Sequence, residues 1–271
     1  MPTATVAGRE LHYFQRGEGE PLLLIQGLTG THLSWGDEFL DALARDFGVI
    51  VFDNRGVGNS SRVDEPFSIA DMADDAAGVL DAVGVDRAHV LGVSMGGMIA
   101  QQLALRHADR IRTLTLGCTY SGGPGSVRTS DAVGLRLAEG WMSGDRERAL
   151  RTGWEVNVSP DFAADEERYA RFREAALGAR AALAVIMLQV QAIGGHDVAA
   201  RLGEIAAPTL VVHGDLDEML SVENGRMIAA KIPGARLEIL EGVGHLFWIE
   251  QPERSAGLIA EHARTQAAAA G

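Results

Sequence analysis

Ser94 has a glycine two residues away on either side, in the run Gly92-Val93-Ser94-Met95-Gly96. The apolar run Ala88-His89-Val90-Leu91 precedes it and the helix-forming stretch Met98 to Leu105 follows. A serine at so sharp a strand-to-helix corner is a nucleophile elbow: its backbone is strained, and a side chain at either glycine position would collide with its neighbours. The turn lifts the hydroxyl clear of the sheet and aims the unpaired N–H groups of the helix start at the place where negative charge would develop. A serine hydroxyl is a weak nucleophile at neutral pH and needs a base, normally a histidine held by a carboxylate. Downstream, Val211-Val212-His213-Gly214-Asp215-Leu216-Asp217 sets two aspartates just past an apolar run, and Gly242-Val243-Gly244-His245 sets a histidine past the next. Serine, then acid, then histidine is the chain order expected when the serine sits on this kind of corner. The chemistry these residue types support is nucleophilic acyl transfer.

Elements must bring such residues together. Leu22 to Ile25, Val49 to Phe52, His89 to Leu91, Thr113 to Leu116, Thr209 to Val212 and Leu237 to Leu240 read as strands. Most lack polar alternation, which predicts burial on both faces, as in a parallel sheet covered by helices. Helices are predicted between them, at about Trp35 to Arg45, Ile69 to Val83, Met95 to His107, Val222 to Lys231 and Pro252 to Thr265. Val6 to Gln15, broken at Gly8, suggests an antiparallel hairpin at the sheet edge. The alternation predicts an α/β fold with a doubly wound, mostly parallel sheet, in which strand carboxyl ends share one edge and ligands bind there.

One stretch breaks the rhythm. From Cys118 to Pro208 there is no convincing strand, and helices are predicted over Ala132 to Trp141, Arg146 to Val156, Glu166 to Leu177 and Ala181 to Ile193. A connection this long is structured or functional. Tyr120-Ser121-Gly122-Gly123-Pro124-Gly125 reads as a hinge and Gly194-Gly195 as the return. The predicted organisation is a core of residues 1–121 and 196–271 with a helical cap over 122–195. Trp141, Met142, Trp154, Phe162, Tyr169, Phe172, Met187 and Leu188 are candidates to line an apolar pocket, or else to pack the cap against itself. Ala267 to Gly271 reads as a frayed tail.

Composition sets the bounds. With 271 residues, 46% hydrophobic and 23% charged, the chain reads as globular. Its net charge of -13 opposes nucleic acid and anionic membrane surfaces as partners. The single cysteine, Cys118, leaves no internal disulfide or multi-cysteine zinc site. The first ten residues lack a basic start followed by a long apolar run, and no run approaches a membrane span, so a cytoplasmic location is expected. No H-E-x-x-H or Cys/His cluster points to a metal, and Gly56 and Gly58 lack the third glycine of a dinucleotide loop, so no cofactor is expected.

Together, Gly92 to Gly97, the loop Asp53-Asn54-Arg55-Gly56-Val57-Gly58-Asn59-Ser60, Gly214-Asp215-Leu216-Asp217 and Gly244-His245 resemble the α/β-hydrolase superfamily, from about residue 10 to residue 262. The resemblance implies Ser94 as nucleophile, His245 as general base and Asp217 as the acid that orients it; Asp215 is the rival acid. It also implies two oxyanion donors. One is the N–H of Met95, and the other lies in the loop Gln26-Gly27-Leu28-Thr29-Gly30, assigned to Leu28. Most relatives carry His-Gly where this chain has Gln26-Gly27, which departs from the bonding that usually positions the loop. Members similar to aclacinomycin methylesterases lack that histidine too and carry a stretch like Trp35-Gly36-Asp37-Glu38-Phe39; there is some likeness to enol-lactonases as well.

The implied activity is hydrolysis of a carboxylic ester or lactone, without cofactor, on a small, apolar or weakly polar substrate. Cofactor-free perhydrolases or haloperoxidases and carbon-carbon bond hydrolases use the same residues, and a ligand-binding protein that retains the fold is the alternative of another class. Epoxide hydrolases and haloalkane dehalogenases need aspartate at the elbow, so Ser94 argues against both. Asp53, Arg55, Gly56, Gly58 and Ser60 read as a structural loop braced by Asp-Arg pairing. His12, His89, His107 and His262 read as surface or strand-end residues, His213 as a brace for the acid loop, and His32 and His196 as residues able to face the pocket.

Overall fold

The computed structural model describes residues 2–179 and 181–270, with side chains described through residue 265. In chain order the elements are β1 (Thr3–Val6), β2 (Arg9–Arg16), β3 (Glu20–Ile25), α1 (Asp37–Leu43), β4 (Phe47–Phe52), α2 (Ile69–Ala82), β5 (Ala88–Val93), α3 (Met95–Arg106) and β6 (Ile111–Gly117). Among the described residues five helices follow without a strand: α4 (Asp131–Met142), α5 (Arg146–Glu155), α6 (Pro160–Ala163), α7 (Glu166–Gly178) and α8 (Leu183–Gly194). The chain then returns through β7 (Thr209–Gly214), α9 (Val222–Lys231), β8 (Arg236–Leu240), α10 (Phe247–Glu250) and α11 (Pro252–Ala270).

The strands make one sheet in the order β1-β2-β4-β3-β5-β6-β7-β8. Pairing is antiparallel for β1 with β2 and β2 with β4, and parallel from β4 to β8. The hairpin sits at one edge, where its sequence predicts it. Alternate side chains of a strand point to opposite faces. Leu23 and Ile25 of β3 and Ile50 and Phe52 of β4 therefore join a core that includes Met72 and Ile99 of α2 and α3. Leu22, Leu24, Val49 and Val51 join the opposite core with Phe39 of α1 and Ile259 of α11. The unbroken apolar runs are the consequence of that double burial.

From β3 the chain leaves toward β4 on one side, and from β5 it leaves toward β6 on the other. The crevice between the carboxyl ends of β3 and β5 is thus the topological switch point, where open α/β sheets bind ligands. The Gln26 loop leaves one wall of it and Ser94 begins the other.

The helices between β6 and β7 carry legible start signals: the side chains of Ser130, Asp145 and Asp165 cap α4, α5 and α7. Trp154, Val158 and Tyr169 make a separate small core there, with Phe162 and Phe172 packed on it. Of the aromatics that the sequence offers for a pocket, these four pack the inserted helices against themselves. Leu188 packs on the main core, whereas Trp141, Met142 and Met187 are exposed. Arg180 and Gly271 lie outside the described residues; α11 runs on through Ala270, where the composition suggests a frayed end.

Candidate active site

Ser94 is the N-cap of α3 and has φ +56°, the left-handed region that costs a side-chain-bearing residue of order 1–3 kcal/mol. The corner closes so tightly that a Cβ on Gly92 would overlap the carbonyl of Gly96, and a Cβ on Gly96 would overlap the carbonyl of Ile25. Both neighbours are backbone and cannot swing aside. Gly96→Ala is expected to lower the unfolding free energy by about 1–3 kcal/mol. Urea denaturation checks this, and a variant as stable as the parent would contradict the close contact of α3 with the end of β3.

The loop after β3 lies directly over Ser94: a Cβ on Gly27 would stand 2.9 Å from Ser94 Cβ. The N–H of Met95, in the first turn of α3, has no intrahelical acceptor. Gln26 folds its carboxamide oxygen back onto the Gly27 N–H at 2.9 Å, and its carbonyl accepts from Asn54 Nδ2 at 3.0 Å. The loop also takes a bond from α8: Thr29 N–H, at φ +60°, donates to Oε1 of the fully buried Gln189 at 3.0 Å. Leu28 is held between these ties.

Asp217 and His245 meet. Nδ1 of His245 lies 2.7 Å from Asp217 Oδ2, and both residues are buried. The carboxylate also accepts from Leu220 N–H at 2.8 Å, and His213 Nε2 lies 3.1 Å from it. Burial alone would push the Asp217 carboxyl pKa up, but the imidazoles of His245 and His213 outweigh it and hold the pKa well below the usual carboxylate range. An ionised Asp217 keeps the proton of His245 on Nδ1 and leaves Nε2 as the basic nitrogen. Asp215 is elsewhere: its carboxylate accepts from the Gly242 N–H at 2.7 Å and is exposed. His213, which also donates to Leu220 O at 2.8 Å, braces the acid loop.

Among the described residues no hydrogen bond joins Ser94 to His245, but one strand end carries both. Ser94 N–H donates to Gly117 O at 2.9 Å, and the thiol of the next residue, Cys118, donates to His245 O at 3.0 Å. Cys118 is itself left-handed, with φ +43°. Serine-histidine contacts are often long before substrate arrives. Nothing in its local sequence marks Cys118 as part of this arrangement.

The remaining candidates separate from the site. Arg55 does not pair with Asp53. It reaches α2 instead, where Nε meets Asp75 at 2.5 Å, because the Asp53 carboxylate is already filled by His32 N–H, Asn59 N–H and His32 Nδ1. Burial would raise the Asp53 pKa, and these bonds lower it below the ordinary value. The loop is braced as its glycines imply, with different partners. Three of the histidines expected at the surface or strand ends, His12, His89 and His262, are buried. His12 lies 3.2 Å from Asp53, His89 bonds Thr113 and Glu20, and His262 bonds Pro208 O.

His196 lines a separate cavity of about 240 Å³ with Tyr120, Gly122, Gly123, Arg128 and Asp197, where the inserted helices leave and rejoin the sheet. Burial lowers its pKa from 6.5 to about 4, against the opposing charge of Asp197. As pH falls the unfolded chain takes up that proton first. Stability from this group is therefore full above pH 6.5 and is lost as pH falls toward 4, by about 3 kcal/mol. Urea unfolding at pH 7 and pH 4 should show His196→Phe losing less stability than the parent by about that amount; equal losses would contradict a neutral, buried His196.

Among the described residues, two groups of side chains have ligand-type atoms within 4.8 Å of one another: His12 with His32 and Asp53, and Cys118 with Asp217 and His245. Burial pushes the Cys118 thiol pKa far up, and the thiol donates to His245 O. The lone pairs of Asp53 are taken by the bonds just described.

Comparison with known proteins agrees with this architecture. The model of the α/β hydrolase fold matches residues 20–252. The chain is 31% identical over 254 residues to RutD of Azorhizobium caulinodans, a protein designated a carbamate hydrolase, covering 93% of this chain and 94% of that one. It is 31% identical to rhodomycin D methylesterase DauP of Streptomyces sp. strain C5, covering 97% and 99%. Among solved structures, the enol-lactonase of Burkholderia xenovorans LB400 superposes with a TM-score of 0.80 at 26% identity, over 96% of this chain and 99% of that one. With the family match over most of its length and the parallel sheet that carries Ser94 at its switch point, the chain belongs to the α/β-hydrolase fold family.

Proposed function

We propose that the protein is a serine hydrolase that cleaves a carboxylic ester or lactone through an acyl-enzyme. The observation that carries this reading is the 2.7 Å contact of Asp217 with His245 Nδ1, on the connections after β7 and β8, at the sheet edge that also carries the strained serine at the head of α3. Ser94 Oγ attacks the carbonyl carbon while its proton passes to His245 Nε2. The Leu28 and Met95 N–H groups take the oxyanion, each contributing about 3–4 kcal/mol to the barrier reduction. Collapse expels the alcohol, which leaves with that proton. Water then repeats the sequence on the acyl-enzyme and releases the acid; a lactone passes through the same steps with its alcohol still attached. In this reading helices α4 to α8 act as a cap, and the substrate is small, apolar or weakly polar.

The relatives support ester and lactone chemistry, since one is a methylesterase and another an enol-lactonase. The RutD designation makes a carbamate carbonyl the competing substrate. Turnover of p-nitrophenyl esters of graded chain length, of γ- and δ-lactones, of aryl carbamates and of monochlorodimedone with peroxide and bromide discriminates among these. Ester or lactone turnover is expected to dominate. Turnover confined to carbamates or to bromination would overturn the substrate assignment.

A further inference from the structure

His245 sits on a connection without regular structure, between the end of β8 at Leu240 and the start of α10 at Phe247. An imidazole on such a segment is placed only as well as its backbone is held. Three successive residues are tied. Gly244 N–H donates to Glu250 Oε1 at 2.7 Å, His245 O accepts from the Cys118 thiol, and Leu246 N–H donates to Asn157 O at 2.9 Å. Glu250 does more than hold Gly244. Its carboxylate also accepts from Ser159 N–H at 3.1 Å and from Ser159 Oγ–H at 2.5 Å.

One carboxylate thus joins the residue before His245 to Ser159, in the turn between α5 and α6. The two backbones touch beneath it: a Cβ on Gly244 would stand 2.7 Å from Val158 Cα. Ser159 is buried and Glu250 half-buried. Charge-assisted bonds in such surroundings are shorter and stronger than neutral ones.

We propose that Glu250 is a positioning residue, whose hydrogen bonds to Gly244 and Ser159 fix the backbone that carries His245 and make the placement of the imidazole depend on the inserted helices. This rests on the reading of His245 as the general base. A merely structural role would lower stability and leave turnover of the folded enzyme alone. Positioning acts on kcat, because a base displaced by about 1 Å costs on the order of 100-fold while ground-state binding is kept.

The variants separate the bonds. Glu250→Gln keeps an acceptor for the Gly244 and Ser159 N–H groups and can donate its amide to Ser159 Oγ, whereas Glu250→Ala removes every tie. Kinetics on a p-nitrophenyl ester, at a temperature where each variant is fully folded, should show kcat lower by about 10- to 100-fold in Glu250→Ala with KM little changed. Glu250→Gln should restore most of that loss. Amide hydrogen exchange at Gly244 should be faster in Glu250→Ala and not in Glu250→Gln. Wild-type kcat in folded Glu250→Ala, or unchanged exchange at Gly244, would overturn the proposal. Should Glu250→Ala not fold, Ser159→Ala, which removes the hydroxyl bond alone, must lower kcat, and an unchanged kcat there overturns it equally. A wild-type protein without Ser94-dependent turnover is a different result, since it defeats the hydrolase reading itself.

Discussion

Replacing Ser94 with alanine is expected to lower kcat on the preferred ester by about 10⁴- to 10⁶-fold, with the fold and the thermal midpoint retained. The size follows from what remains. In the proposed mechanism no acyl-enzyme forms with Oγ gone, and only water activated in place by His245, with the N–H groups of Leu28 and Met95 as oxyanion donors, is left to attack. The alanine keeps the same left-handed corner, so no repacking of α3 accompanies the change. Steady-state kinetics with a calorimetric scan on the same preparation check both halves. Activity within tenfold of wild type would remove Ser94 from the chemistry.

Asp217→Asn is expected to cost about 10⁴-fold in kcat at neutral pH. The local geometry makes the amide a poor stand-in. Leu220 N–H points at one oxygen of Asp217, and His245 Nδ1 and His213 Nε2 lie close to the other. An asparagine has a single acceptor oxygen. If that oxygen serves Leu220, the amide N–H faces His245 and selects the tautomer with its proton on Nε2, which cannot accept the proton of Ser94. If it serves His245, Leu220 N–H is left against a donor in a buried site, at a cost of about 1–3 kcal/mol in stability. Kinetics together with urea unfolding distinguish the two outcomes. Wild-type kcat with wild-type stability would contradict the role given to the carboxylate.

Much of the fold is legible because its signals are local. Leu22 to Ile25 and Thr209 to Val212 are apolar without alternation, and that pattern has few meanings other than a strand covered on both faces. A parallel sheet then gathers Ser94, the two aspartates and His245 on one edge, whatever the details of packing. Which aspartate faces His245 is different in kind. Asp215 and Asp217 have the same chemistry, and their separation depends on the turn through Leu220, where Asp217 is held and Asp215 is left to Gly242.

Contacts between distant segments are the illegible part. The tie from Gln189 to the Thr29 loop spans 160 residues, and the thiol bond from Cys118 to His245 spans 127. Neither has any periodicity to betray it. Arg55 misleads for the opposite reason: it is near Asp53 in sequence, yet backbone N–H groups had filled that carboxylate and left Asp75 as the buried partner. His12, His89 and His262 are polar by type, and only their partners across the fold explain why they are inside.

Covalent capture tests most directly whether Ser94 is a nucleophile activated by His245. A fluorophosphonate probe phosphonylates a serine only when a base removes its proton and donors stabilise the charged oxygen, so no natural substrate is needed. Intact-mass measurement and peptide mapping should find one adduct per chain, on Ser94, with the rate strongly reduced in Asp217→Asn and in His245→Ala. A folded wild-type protein that stays unlabelled, or that is labelled at another residue, would contradict the account.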